Sequence, residues 1–247
     1  MKKKILLIIG IVLLLASLVI AVLFVRESRL SKPQELAISD VTNTTAAEKE
    51  AYVSPIDFDK LQKKYPDIVA WIDIPGPEIS YPVFCSSVDD TFYISHNRDG
   101  EESRAGEIFI EHNYNKSDFS DPVTLLYGHN MKNETMFGLL ENYFSYSSSA
   151  DINGEITVYT KTAEYHYKVF SATSFDNRHI LFNYDFNKQS VSDSFFKEIK
   201  NTRSLDNYFD DEIYAECNGN KIILSTCKNS NLNDRFLVIA GLYKTIY

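Results

Sequence analysis

The chain has 247 residues, with 16 tyrosines, 16 phenylalanines, three cysteines and a formal charge of −9 at neutral pH. Beyond Met1–Lys4 there is no Lys/Arg block, which argues against a nucleic-acid partner held through its phosphates. The hydrophobic share of 44% excludes a chain too polar to bury a core.

In chain order, residues 1–4 (MKKK) form a basic flank and residues 5–25 carry no charge. At 1.5 Å per residue that run makes a helix of about 31 Å, the thickness of a bilayer's hydrocarbon core. The lysines ahead of it place the N-terminus in the cytoplasm and the rest of the chain outside. A cleaved signal peptide is the rival reading. Its apolar region is ordinarily about 7–15 residues and ends in a small-x-small site, whereas Phe24, Val25, Arg26 and Glu27 stand here. Residues 26–53 are polar and weakly patterned, as expected of an extracytoplasmic stalk, and residues 54–247 read as one folded domain.

Ser54-Pro55-Ile56-Asp57 predicts a helix start with Ser54 as cap, ended by Pro66. The pattern then turns to short β-rich runs. They are Val69–Ile74, Ile79–Phe84, Glu107–Ile110, Thr124–Tyr127, Glu155–Tyr159, Tyr165–Ala172, Lys221–Thr226 and Phe236–Leu242. Eight short strands around one core predict a barrel or sandwich rather than βαβ units. Two helices interrupt them, a short one at Thr135–Leu140 and a full one at 190–202. The second starts near Ser190 or Ser192 and has Phe195, Phe196 and Ile199 as its apolar face.

Three segments carry chemistry. Thr124–Tyr127 is an apolar strand running into Gly128, His129 and Asn130; Ile222–Thr226 runs into Cys227; Arg235 opens a third strand eight residues later. If the last two strands are antiparallel neighbours, Cys227 and Arg235 share one end of the sheet. A thiolate is stabilised by a nearby imidazolium or guanidinium, and a cation suits the oxyanion of an acyl transfer. Cys227 is therefore the candidate nucleophile, His129 the acid/base and Arg235 the oxyanion-side cation. The plainer readings are a buried thiol, a loop histidine, and a surface ion pair of Arg235 with Asp234 or Glu212. Cys85 and Cys217 are structural candidates: a disulfide between them and three free thiols both remain open. His96, His112, His166 and His179 lack metal-ligand spacing, so no metal or cofactor is expected; His112 is the second choice for the base.

YGHN around His129, LSTC at 224–227 and the following Arg235 resemble the signature of sortases, and the helix at 190–202 is similar to the one that distinguishes class B. The resemblance covers residues 54–247. It implies an eight-stranded β-barrel with N-terminal helix or helices and a helix inserted before the cysteine strand. It also implies cysteine transpeptidation at an NPQTN-like C-terminal sorting motif of a secreted protein. The acyl group would pass through a thioester to a peptidoglycan precursor amine or, in some relatives, a pilin lysine. Tyr127, Asn130 and Ser225 are expected beside the cleft, and Thr226 matches a residue beside the oxyanion site. Asn229 stands where several class B relatives carry an acid. From other functional classes, the rivals are an endopeptidase that hydrolyses the acyl-enzyme and a non-catalytic envelope domain.

Overall fold

The computed structural model describes residues 52–145, 154–204, 207–217, 219–228, 230–231 and 233–247. The expected basic flank and anchor, the stalk up to residue 51, and Asn229 lie outside the described residues. Among the described residues no helix is long and apolar enough to cross a membrane.

Helix α1 (Phe58–Lys64) is capped by Asp57, whose carboxylate accepts from the Lys60 amide at 3.0 Å. The expected cap, Ser54, lies before the helix and accepts from the Ile56 amide at 3.3 Å. A carboxylate beside exposed helical N–H groups adds charge complementarity that a hydroxyl lacks. The helix ends at Tyr65, ahead of Pro66, and Phe58 packs with Ile68, Phe84, Tyr93 and Phe109.

The strands are β1 (Ile68–Ile74), β2 (Ile79–Phe84), β3 (Ile108–Phe109), β4 (Val123–Tyr127), β5 (Glu155–Tyr159), β6 (Glu164–Phe175), β7 (Tyr208–Phe209), β8 (Lys221–Cys227) and β9 (Arg235–Ile246). Their order is β5-β1-β2-β3-β4-β8-β9-β6-β7, and a further β5–β6 pairing closes eight of them into a mixed barrel. All eight expected strands form. The additional β7 is two residues long, too short to leave a periodic signal, and pairs with β6 alone.

The remaining helices are α2 (Leu140–Phe144), α3 (Ile180–Asn183), α4 (Gln189–Lys200) and α5 (Asp211–Glu216). The helix expected at Thr135–Leu140 starts only at Leu140. Glu134 and Met136 sit at φ 66° and 56°, in the left-handed region, which a right-handed helix cannot traverse. The inserted helix is α4. It starts after Lys188 with no side-chain cap, so Ser190 and Ser192 lie inside its first turn. Helices α3 and α5 are single short turns that the sequence pattern did not mark.

Two cores meet across β4, β8 and β9. Leu126, Leu224, Phe236 and Val238 fill the barrel with Ile72, Phe137, Phe144 and Val158. From the other face, Leu125, Ile223, Leu237 and Ile239 pack against Phe195, Phe196 and Ile199 of α4. Covering on both faces explains why these strands read as continuous apolar runs instead of alternating ones.

Phe195 is fully buried among Tyr184, Phe186 and Phe196, with ring centroids 4.9, 5.1 and 5.3 Å away. Phe195→Ala is expected to cost about 3–5 kcal/mol, read as a lowered urea midpoint. A loss below about 1 kcal/mol would show that α4 is dispensable to the second core.

Candidate active site

The site follows from strand register. β4 and β8 run parallel, with Tyr127 opposite Ser225, and the Gly128 amide continues the ladder to the Ser225 carbonyl at 3.2 Å. Two steps beyond Tyr127 is His129, and two steps beyond Ser225 is Cys227. On the other side β8 and β9 are antiparallel, with Cys227 directly opposite Arg235. Neighbouring strands lie about 4.8 Å apart, so the three residues come side by side at adjacent strand ends, with Cys227 on the middle strand. All three are half-buried and line one cleft of about 240 Å³.

Gly128 is required by close packing. A Cβ there would collide with the side chains of Ile108 and Phe137. The turn after it is fixed by Asn130, whose Nδ2 donates to the Cys227 carbonyl at 2.7 Å, and by the His129 carbonyl, which accepts from the Phe137 amide at 3.0 Å. His129 Nε2 lies 2.6 Å from the Ile94 carbonyl. A carbonyl only accepts, so Nε2 carries the proton and Nδ1 is the nitrogen where the ring gains or loses one. Arg235 Nη1 donates to the Asp234 carbonyl at 3.3 Å, and the Lys228 amide to the same oxygen at 3.0 Å, closing the short connection between the strands.

The other expected neighbours divide by face. Ser225 and Thr226 both line the cleft beside Cys227, Ser225 on the same face of β8 as Cys227 and Thr226 on the face it shares with Phe236 of the barrel core. Thr226 is 2% exposed and its Oγ1 has no partner among the described residues. Tyr127 stacks on Phe109 at 5.3 Å and donates to Glu111 Oε2 at 3.0 Å.

The opposite wall, Asn177–Ile180, belongs to the segment between β6 and α4. Arg178 braces it: Nε bonds Asp176 at 2.8 Å, Nη1 the Tyr184 hydroxyl at 2.8 Å and Nη2 Glu198 of α4 at 2.6 Å. Sequence reasoning passed over Thr91, Ile94, Glu111 and this wall, because they come from loops that only the closed barrel brings to β4 and β8. The second-choice base, His112, is not among the cleft residues; its Nδ1 lies 4.0 Å from the Cys85 sulfur.

The three cysteines are free thiols. Cys85 and Cys217 are buried, and burial raises both thiol pKa values, that of Cys85 to about 11. Cys227 alone among them opens on the cleft. Among the described residues no group of three or more His, Cys, Asp or Glu side chains could hold a metal ion.

Comparison with known proteins agrees with the barrel fold. The sortase domain model matches residues 72–243. Sortase B of Staphylococcus aureus is 27% identical over 197 residues, covering 79% of this chain and 78% of that enzyme. Sortase B of Listeria monocytogenes is 38% identical over 121 residues, 43% of this chain, and the match spans about half of that enzyme's length, 48%. The crystal structure of Clostridium perfringens sortase B superposes with a TM-score of 0.64 at 26% identity, covering 75% of this chain and 99% of that one. A class B sortase of Streptococcus pyogenes involved in pilus biogenesis gives a TM-score of 0.62 at 26% identity, with 76% and 98% covered. The barrel and these matches agree, and the chain belongs to the sortase family of cysteine transpeptidases, with class B members as its relatives.

Proposed function

We propose that this chain is a membrane-anchored, class B-like transpeptidase that cleaves an NPQTN-like sorting motif near the C-terminus of a secreted protein and transfers it to a peptidoglycan precursor amine. The observation that carries the reading is the register that lines His129, Cys227 and Arg235 along one cleft. The apolar run at 5–25 would hold the domain at the outer face of the cell membrane, on a stalk ending near residue 53.

The Cys227 thiolate attacks the scissile carbonyl, forming a C–S bond. The guanidinium of Arg235 faces the oxyanion that results. On collapse the C–N bond breaks, and the leaving amine takes a proton from His129. The thioester then meets an incoming amine, which gives its proton to His129 as the new C–N bond forms and the thiolate departs. Water in the amine's place yields the endopeptidase outcome. A pilin lysine is the second acceptor reading, favoured by the likeness to the S. pyogenes pilus enzyme.

With the full-length chain in detergent micelles and a panel of sorting peptides, mass spectrometry is expected to show a thioester on Cys227; an adduct on another residue would defeat the assignment. Cys227→Ala should lower peptide turnover by at least about 1,000-fold. Arg235→Ala should slow acylation by about 100- to 1,000-fold with the fold retained, and equal acylation rates in variant and parent would remove its oxyanion role. A cationic methanethiosulfonate should label Cys227 in the folded chain, and Cys85 and Cys217 only after denaturation. Prior labelling of Cys85 would contradict its burial.

A further inference from the structure

Glu111 is a buried carboxylate that the proposed chemistry does not use. It follows β3 by two residues, is 5% exposed and lines the cleft. Its two oxygens serve two different elements. Oε2 accepts from the Tyr127 hydroxyl at 3.0 Å, and Oε1 lies 2.9 Å from His179 Nε2.

The tautomer of His179 is set locally. Its Nδ1 accepts from the Phe182 amide at 3.0 Å, as the cap of α3, so the ring proton sits on Nε2 and is donated to Glu111. The rings of Tyr114 and Phe182 flank the imidazole, with centroids at 4.9 and 6.4 Å. One carboxylate therefore joins the wall at His179 to Tyr127, two residues before His129 on the strand that delivers it.

Burying a carboxylate is costly. Burial raises the Glu111 pKa, the hydrogen bonds from His179 and Tyr127 oppose the rise, and the nearby carboxylate of Asp90 adds to it. An apolar residue would fill the same place without that cost, but it could not accept from two donors on separate elements.

We propose that Glu111 is a positioning residue: its carboxylate fixes the distance between the His179 wall and the strand bearing His129, and so holds the cleft at the width an extended peptide needs. This rests on the transpeptidase reading, with the cleft as the peptide site.

The test compares Glu111→Ala with Glu111→Gln in the full-length chain. The amide can keep both bonds, its oxygen accepting from His179 and its NH2 donating to the Tyr127 oxygen. Glu111→Gln should therefore leave the peptide KM within about twofold of the parent. Glu111→Ala should raise KM by about tenfold or more while kcat changes by less than about threefold. The reaction of Cys227 with a small methanethiosulfonate should stay unchanged. Hydrogen exchange at amides 179–183 should speed by about tenfold in the Ala variant and not in the Gln variant. Should Glu111→Ala fail to fold, His179→Ala cuts the same tie and is expected to show the same rise in KM. A parental KM in the Ala variant overturns the proposal even if exchange quickens, since the wall's position would then not govern peptide binding. Absence of peptide turnover in the parent enzyme removes the transpeptidase reading and this proposal together, whereas turnover in the parent with an indistinguishable Ala variant removes this proposal alone.

Discussion

The parallel pairing of β4 with β8 is the constraint on which the site depends. Tyr127 stands opposite Ser225, so the residues two steps on arrive at the same height from two strands far apart in sequence. The antiparallel partner β9 adds Arg235 directly across from Cys227. Shifting either pairing by one residue would turn one of these candidate side chains to the opposite face of the sheet. Misplacement of reacting groups by about 1 Å is enough to cost roughly 100-fold in rate.

That register is fixed by burial on both faces. Leu126, Leu224, Phe236 and Val238 fit the barrel interior, while Leu125, Ile223, Leu237 and Ile239 fit beneath α4. A slip would move every one of these side chains into the wrong core. The inserted helix therefore has two consequences: it covers the outer face of the strands that carry the site, and, through Glu198 and Arg178, it braces the wall of the cleft above them. Stability of the second core and geometry of the cleft are coupled through the same element.

Burial also sorts the thiols. Cys85 and Cys217 lie inside, where the low dielectric favours the neutral form and lifts their pKa values. Cys227 ends its strand at the cleft, beside a guanidinium and an imidazole. Ser225 and Thr226 are both buried and both line the cleft, but they sit on opposite faces of β8, Thr226 opposite Phe236 of the barrel core and Ser225 opposite Leu237 of the second core.

Much of this was legible in the residues. Strand composition marked the eight barrel strands. The apolar run into Gly-His, the run into Cys and the Arg eight residues later marked three candidate residues that the fold brings to one cleft, because a strand end is a rigid place to present a side chain. The Phe195, Phe196 and Ile199 spacing marked α4. Caps and short turns were less legible: Asp57 displaced Ser54, and left-handed residues at 134 and 136 pushed a helix start to Leu140. By itself the sequence determined which strands end in a histidine, a cysteine and an arginine, and so which side chains are the candidates for the chemistry, since both depend on local order along the chain. Only the tertiary structure decided that Glu111, Tyr127 and His179 form one tie and that Ile94 meets His129, because those contacts join loops whose separation in sequence leaves no period or spacing to read.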